Sequence, residues 1–327
     1  MHRIRTALVS GALALMAVAA QASIDNNIHR NFNVADGGTL VLDADLGDIS
    51  INPGGAGVSI DVLRKARTTS QSKANDFFRD YEVTFAQEGN TIRVKGKYDR
   101  PNKWFNFFGD DLDVKYTITV PSRFNVQLAT SGGDIHVGDL NGEVRAKTSG
   151  GDLDLDRISG VVDARTSGGD VHIDAARSSV TLYTSGGDVS VGDASATVSA
   201  RTSGGDIEVR RAGGNLIAHT SGGSITIGET RGTIDASTSG GSIEARMAQQ
   251  PGGDSQLKTS GGGITLSVAP SVALDVDAHT SGGEIETDVP VTLLGKQSES
   301  TLNGKLNGGG PRVVLRSSGG DIRLRKL

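Results

Sequence analysis

Residues 130–147 read TSGGDIHVGDLNGEVRAK, residues 148–165 read TSGGDLDLDRISGVVDAR and residues 166–183 read TSGGDVHIDAARSSVTLY. The word Thr-Ser-Gly-Gly starts at Thr130, Thr148, Thr166, Thr184, Thr202, Thr220 and Thr238, always 18 residues apart. It returns at Thr259 and Thr280 after intervals of 21, and as Ser-Ser-Gly-Gly at Ser317. A fixed period of this kind marks a repeat architecture in which each unit stacks on the next.

Apolar residues recur in columns at the same period. One runs Ile135, Leu153, Val171, Val189, Ile207, Ile225, Ile243, and a second Val137, Leu155, Ile173, Val191, Val209, Ile227. A third runs Val144, Val162, Val180, Val198, Leu216, Ile234, and a smaller fourth Ala146, Ala164, Leu182, Ala200, Ala218, Ala236. Within a unit these positions alternate with polar residues, so each unit is two short strands joined by two turns. Such a unit cannot bury its own apolar face. Stacking places each column over itself at roughly 4.8 Å, and each buried aliphatic side chain then contributes about 1.5–3 kcal/mol before entropy. The expected fold is all-β: a single parallel β-solenoid of about ten 18-residue coils.

The corners fall on Gly132 and Gly133, Gly150 and Gly151, Gly168 and Gly169, Gly186 and Gly187, and Gly204 and Gly205. Glycine takes positive φ freely, so each pair is expected to include one such residue. The Thr of each word shares the inward parity of the third and fourth columns. The Asp after each pair forms a column of its own: Asp134, Asp152, Asp170, Asp188 and Asp206. Stacked carboxylates repel, so each is expected to accept corner backbone N–H groups or a cation.

Earlier and later segments carry the same phase. Leu40, Leu42, Gly47, Asp48, Ile49 and Ile51 match one corner, and Val58, Ile60 and Val62 match the next return strand. Val313, Leu315, Gly319, Gly320, Asp321, Ile322 and Leu324 match a final coil. The organisation read from this is a cleaved signal over residues 1–22, first coils over 23–62, a cap insertion over 63–112 and solenoid repeats over 113–327. The insertion holds a helix (Lys73 to Asp80), a hairpin (Glu82 to Tyr98, turning at Gly89 and Asn90) and a loop with Trp104, Phe105, Phe107 and Phe108. Open solenoid ends are sticky, so those aromatics are read as a lid on the first coils, with a partner- or membrane-contacting loop as the alternative.

The signal reading rests on His2, Arg3 and Arg5, the apolar run Ala7 to Ala20, and the small-x-small site Ala20, Gln21, Ala22. No second apolar run follows, so no transmembrane segment is expected in the mature chain. The location expected is exported: periplasmic, secreted or at the cell surface.

These units resemble the bacterial β-strand-repeat family of unknown function labelled "putative adhesin". The matching words are Thr130 to Val137 and its successors, with the opening Leu40 to Ile51. The resemblance implies a β-solenoid of the cell envelope and supplies no catalytic residues.

Composition narrows the chemistry. Glycine is 46 of 327 residues, aromatic residues are 4% and cysteine is absent, so there is no disulfide scaffold, thiolate metal site or cysteine nucleophile. The formal net charge is −5 and grows more negative without Arg3 and Arg5, which argues against a nucleic-acid partner. Asp follows Gly-Gly directly, unlike the period-nine calcium solenoids. His136 and His172 share an outward column two coils apart, roughly 10 Å, too far for one metal ion. Neither metal nor cofactor is expected. A serine repeated at every corner is no nucleophile, and the repeats lack the aromatic-lined carboxylate cleft of a polysaccharide-cleaving enzyme.

One outward column does offer a surface: Lys147, Arg165, Tyr183, Arg201 and His219, just before each Thr. It either contacts an acidic envelope polymer or neutralises the Asp column across the corner. The function expected is a non-enzymatic exported adhesin-like binding or scaffold protein, with an envelope polymer or protein as partner. The alternative is a periplasmic sensory or envelope-stress domain, and a polysaccharide-active enzyme is the distant third.

Overall fold

A computed structural model describes residues 23–99, 111–295 and 298–327. Two long, mostly parallel sheets of 14 and 15 strands face each other, with one short helix, Gln71–Asp80. Strands that follow a Gly-Gly corner form the leading sheet, and the strands that run back form the return sheet. Pairing follows the 18-residue period: Leu153 lies on Ile135 and Val171, and Val162 lies on Val144 and Val180. All four predicted columns are buried between the sheets. A fifth column, Leu140, Ile158, Ala176, Ala194 and Ala212, closes the side opposite the Gly-Gly corners.

The corner is a hydrogen-bonded relay. Thr166 is buried, and its hydroxyl donates to the carbonyl of Gly151 in the preceding coil (2.8 Å) while accepting from its own Gly169 N–H (3.4 Å). Gly168 N–H donates to Ser149 O at 3.1 Å, and Asp170 N–H donates to the Asp152 carboxylate at 2.8 Å. The same set recurs from coil to coil, so the Thr hydroxyls bridge successive corners rather than bonding to one another. They and the Asp carboxylates carry the ladder around a turn where backbone-to-backbone pairing alone falls short.

The glycines serve a different purpose from the one expected. Neither Gly168 nor Gly169 has positive φ; among the described glycines those that do are Gly37, Gly47, Gly54, Gly89, Gly295, Gly308 and Gly309. Spreading the turn over four residues keeps each in ordinary backbone space. What the second glycine supplies is close approach, because a Cβ on Gly169 would collide with the carbonyl of Gly151. The first glycine is tolerant early in the array and tight later. A Cβ there would stand 3.9 Å from its nearest neighbour at Gly150, 3.1 Å at Gly186 and 2.6 Å at Gly240. Only the first coil, with a lone Gly47 at φ +119°, needs the left-handed region at the matching corner.

Both ends depart from the simple stack. Val58–Ala66 is not a return strand. It reverses after Pro53, with Gly54 at φ +129°, and lies antiparallel in the leading sheet between Ile24–Phe32 and Leu112–Val120. The inserted segment then builds both sheets. Its hairpin, Tyr81–Glu88 with Thr91–Tyr98, extends the return sheet alongside Thr39–Ala44, and Leu112–Val120 extends the leading sheet alongside Asp48–Pro53. The plug at this end is Tyr81 and Tyr116. Tyr81 donates to Leu46 O, Tyr116 lies 2.8 Å from the Tyr81 hydroxyl, and both rings are fully buried. Burial pushes the Tyr116 hydroxyl up to about 12. The buried Arg64 guanidinium binds Asn26 and the carbonyls of Phe78 and Tyr81, pinning the helix end to the edge strand. Trp104, Phe105, Phe107 and Phe108 lie outside the described residues, as does the segment 1–22 in which a signal is expected.

At the other end the last coil in sequence is not the last in space. Arg312–Ser317 and Ile322–Lys326 insert between the coil Ser255–Thr259 with Ile264–Val268 and the coil Leu274–Thr280 with Ile285–Thr287. An antiparallel pair, Val291–Leu293 and Thr301–Leu306, finishes the return sheet.

Two outcomes follow for stability in urea. Gly169→Ala is expected to cost about 1–3 kcal/mol through the backbone collision, whereas Gly150→Ala is neutral or stabilising by up to about 1 kcal/mol through the unfolded state. Equal effects would remove the close-approach account. Thr166→Val, nearly isosteric, is expected to cost about 1–3 kcal/mol because it strips the buried Gly151 carbonyl of its donor. A value near zero would show that the relay is dispensable.

Candidate functional site

In-register pairing turns single outward positions into rows along the return sheet. Lys147 lies beside Arg165, Arg165 beside Tyr183, Tyr183 beside Arg201 and Arg201 beside His219. The row predicted from the period is therefore one continuous strip on one face. Successive coils set its side chains about 4.8 Å apart. Two residues upstream runs a second row, Arg145, Asp163, Thr181 and Ser199.

The strip's charges pair within the face, not across the corner. Arg165 grips Asp163 through Nε (2.7 Å) and Nη2 (3.1 Å). His219 stands 3.4 Å from Asp235, and Arg201 donates to Ser199 Oγ. The Asp column is occupied otherwise, each Oδ1 taking the backbone N–H one coil on, from Asp152, Asp170, Asp188, Asp206 and Ser224 in turn. This corrects the expectation that the strip neutralises that column. The partner of Arg165 sits two places back on its own strand, where alternate side chains share a face.

What is left unpaired defines the site. The Lys147 side chain has no ion pair or hydrogen bond among the described residues. Arg145 reaches Glu143 only at 3.5 Å. Next to Lys147 the row drops to Ala129, and the small side chain leaves an open depression of about 400 Å³ between Arg145, Lys147, Arg165 and Asp43. Tyr183, 41% exposed, is the aromatic face of the strip, and its hydroxyl lies 3.2 Å from Ser185 Oγ. The arrangement can hold an anionic group over the depression and stack a flat ring on Tyr183. It contains no nucleophile–base pair within hydrogen-bond reach. The Ala129 notch was not anticipated. Its signal was the missing cation where Ala129 precedes the first Thr-Ser-Gly-Gly.

The sequence profile of the family described as Toastrack DUF4097 matches residues 38–227 and 216–325, nearly the whole described array. The chain belongs to the toastrack DUF4097 family. The two matched segments overlap within the regular coils, so one family pattern spans both the inserted start and the intercalated end of this toastrack protein. No curated protein matches it. Among solved structures it is similar to a "putative adhesin" from Bacteroides fragilis at 15% identity over 92% of this chain and 97% of that one, TM-score 0.31. It is also similar to a "putative lipid binding protein" from Parabacteroides distasonis at 12% identity over 91% and 96%, TM-score 0.31. A third is a "putative cell adhesion protein" from Clostridium sporogenes, at 8% identity over 94% and 100%, TM-score 0.27. No helix among the described residues is long and apolar enough to cross a membrane.

Because the strip's ion pairs are exposed, they contribute little to the fold. Replacing Lys147, Arg165 and Arg201 together with Gln is expected to change the unfolding free energy in urea by less than about 1 kcal/mol. A larger loss would make the strip a structural element rather than a surface free for binding.

Proposed function

We propose that this toastrack protein is a non-enzymatic, exported binding or scaffold protein of the cell envelope, and that its adhesin-like surface is the return-sheet strip from Arg145 and Lys147 to Arg201. The observation that carries this reading is the in-register row with an unpartnered Lys147 beside the Ala129 depression. Aligning cations such as Lys147 and Arg165 in adjacent coils gains a folded scaffold nothing, since like charges in adjacent strands repel. An extended polyanion would meet them in sequence, one anionic unit per coil or two, and its attraction would fall steeply with salt. An acidic envelope polysaccharide fits that chemistry, with uronate or phosphate groups over Lys147 and a sugar ring against Tyr183. An export signal over residues 1–22 would bring the chain to such a polymer.

The test is binding of the parent chain and of the Lys147, Arg165, Arg201 triple Gln variant to acidic envelope polysaccharide at low and physiological salt. The parent is expected to bind, with affinity falling at least tenfold between the two salt concentrations, and the triple variant to lose most of that binding. Absence of binding by the parent, or equal binding by the variant, would refute the assignment of this face.

A further inference from the structure

On the opposite face, the outward row of the leading sheet carries His136, Asp154 and His172 in adjacent coils. Asp156 follows Asp154 on the same outward side of its strand. We propose that His136, Asp154 and Asp156 form a binding site for a divalent transition-metal ion, with Zn²⁺ the best match to the donor set.

Geometry comes first. His136 Nδ1 lies 3.3 Å from Asp154 Oδ2, and one ligand atom from each of the three residues lies within 4.8 Å of the others. Metal–ligand bonds of about 2.0–2.2 Å close such a triangle with small rotamer changes, leaving at least one position for water or an outside ligand. The backbone holds the three in place: His136 and Asp154 are register partners on neighbouring parallel strands, and Asp154 and Asp156 belong to one strand.

Two further observations concern Asp156. Its carboxylate has no hydrogen bond or ion pair among the described residues. The nearest cation in sequence, Arg157, is turned to Asp139 through both Nε and Nη2. On the coil before it stands Gly138, where a Cβ would lie 3.8 Å from Asp156 Oδ2, so that position sets no side chain of its own against the carboxylate. Asp156 is partly buried, and the carboxylates of Asp154, Asp139 and Asp174 crowd it. A bound cation would relieve that crowding.

The donor set selects the ion. Calcium takes six to eight oxygen ligands and magnesium prefers oxygen and water, whereas one imidazole with two carboxylates suits zinc, nickel or cobalt. His172, the next histidine in the row, is not part of the site. Its ring lies 3.0 Å from Asp174 and is engaged there. The pairing that forms the site is therefore His136 with the aspartates 18 and 20 residues later, not His136 with His172.

The experiment uses the untagged chain, stripped of metal by chelator and exchanged into metal-free buffer. Titration with Zn²⁺ by calorimetry is expected to give one saturable site. His136→Ala and Asp156→Asn are each expected to weaken it at least tenfold, while His172→Ala leaves it unchanged. Co²⁺ provides a second readout, a visible absorption spectrum that is lost in His136→Ala. All these side chains are at the surface, so far-UV circular dichroism and melting temperature check that each variant is folded. Absence of saturable binding by the parent overturns the site. So does binding that survives both His136→Ala and Asp156→Asn, or that His172→Ala weakens as much as they do.

Discussion

Everything in this structure depends on carrying a parallel ladder around a tight corner without losing a hydrogen bond. A parallel strand pair is satisfied along its length, but the turn between the two sheets leaves N–H and C=O groups facing the next coil at awkward angles. Thr and Asp solve this with side-chain oxygens. Thr166 bonds to Gly151 O and Asp152 receives Asp170 N–H, while the second glycine lets the backbones come close enough for both. Because the solution recurs from coil to coil, with Ser224 and Ser242 accepting the backbone N–H in place of Asp later in the array, the strands leave successive corners in register. The buried columns and the exposed rows are both products of that register.

Much of this was legible in the chain. The 18-residue word gave the period, alternation gave the strand faces, and the parity of Thr placed it inside. The reason for the paired glycines was not legible, because Gly-Gly reads equally as freedom in φ or as absence of a Cβ. Only the stacked geometry shows that Gly169 meets Gly151. The order of coils at the two ends was also hidden. Each coil presents the same two edges, so the pattern around Val313 and Ile322 fits a place at the end or one layer in, and nothing local distinguishes them. Val58, Ile60 and Val62 alternate as a strand should in either sheet, and the turn at Gly54 decided which.

The two faces carry different chemistry on one frame. The return face presents Lys147, Arg145 and Arg201, the leading face His136, Asp154, Asp156 and Asp174. The row from Lys147 to His219 could be read at fixed phase. Its ion pairs could not, because Asp163 belongs to the neighbouring row on the same strand. The leading-face cluster combines an 18-residue step with a two-residue step, so a search along single columns passes over it. A repeat distributes its side chains on a grid, and sites arise wherever two rows and two coils meet.

The intercalated coil near Leu327 has a consequence for how the molecule comes into being and how it bears load. Chain growth delivers Leu274–Thr287 before Arg312–Lys326, yet the later segment must lie beneath the earlier one. Until it arrives, two strand edges stay open at the site of closure, so the array is completed by insertion rather than by adding a layer on top. Insertion joins segments far apart in sequence, and such closures are slow. Once made, the joint resists peeling. A pull on the strand Ile322–Lys326 meets hydrogen-bonded ladders on both sides, where an outermost strand would unzip from one.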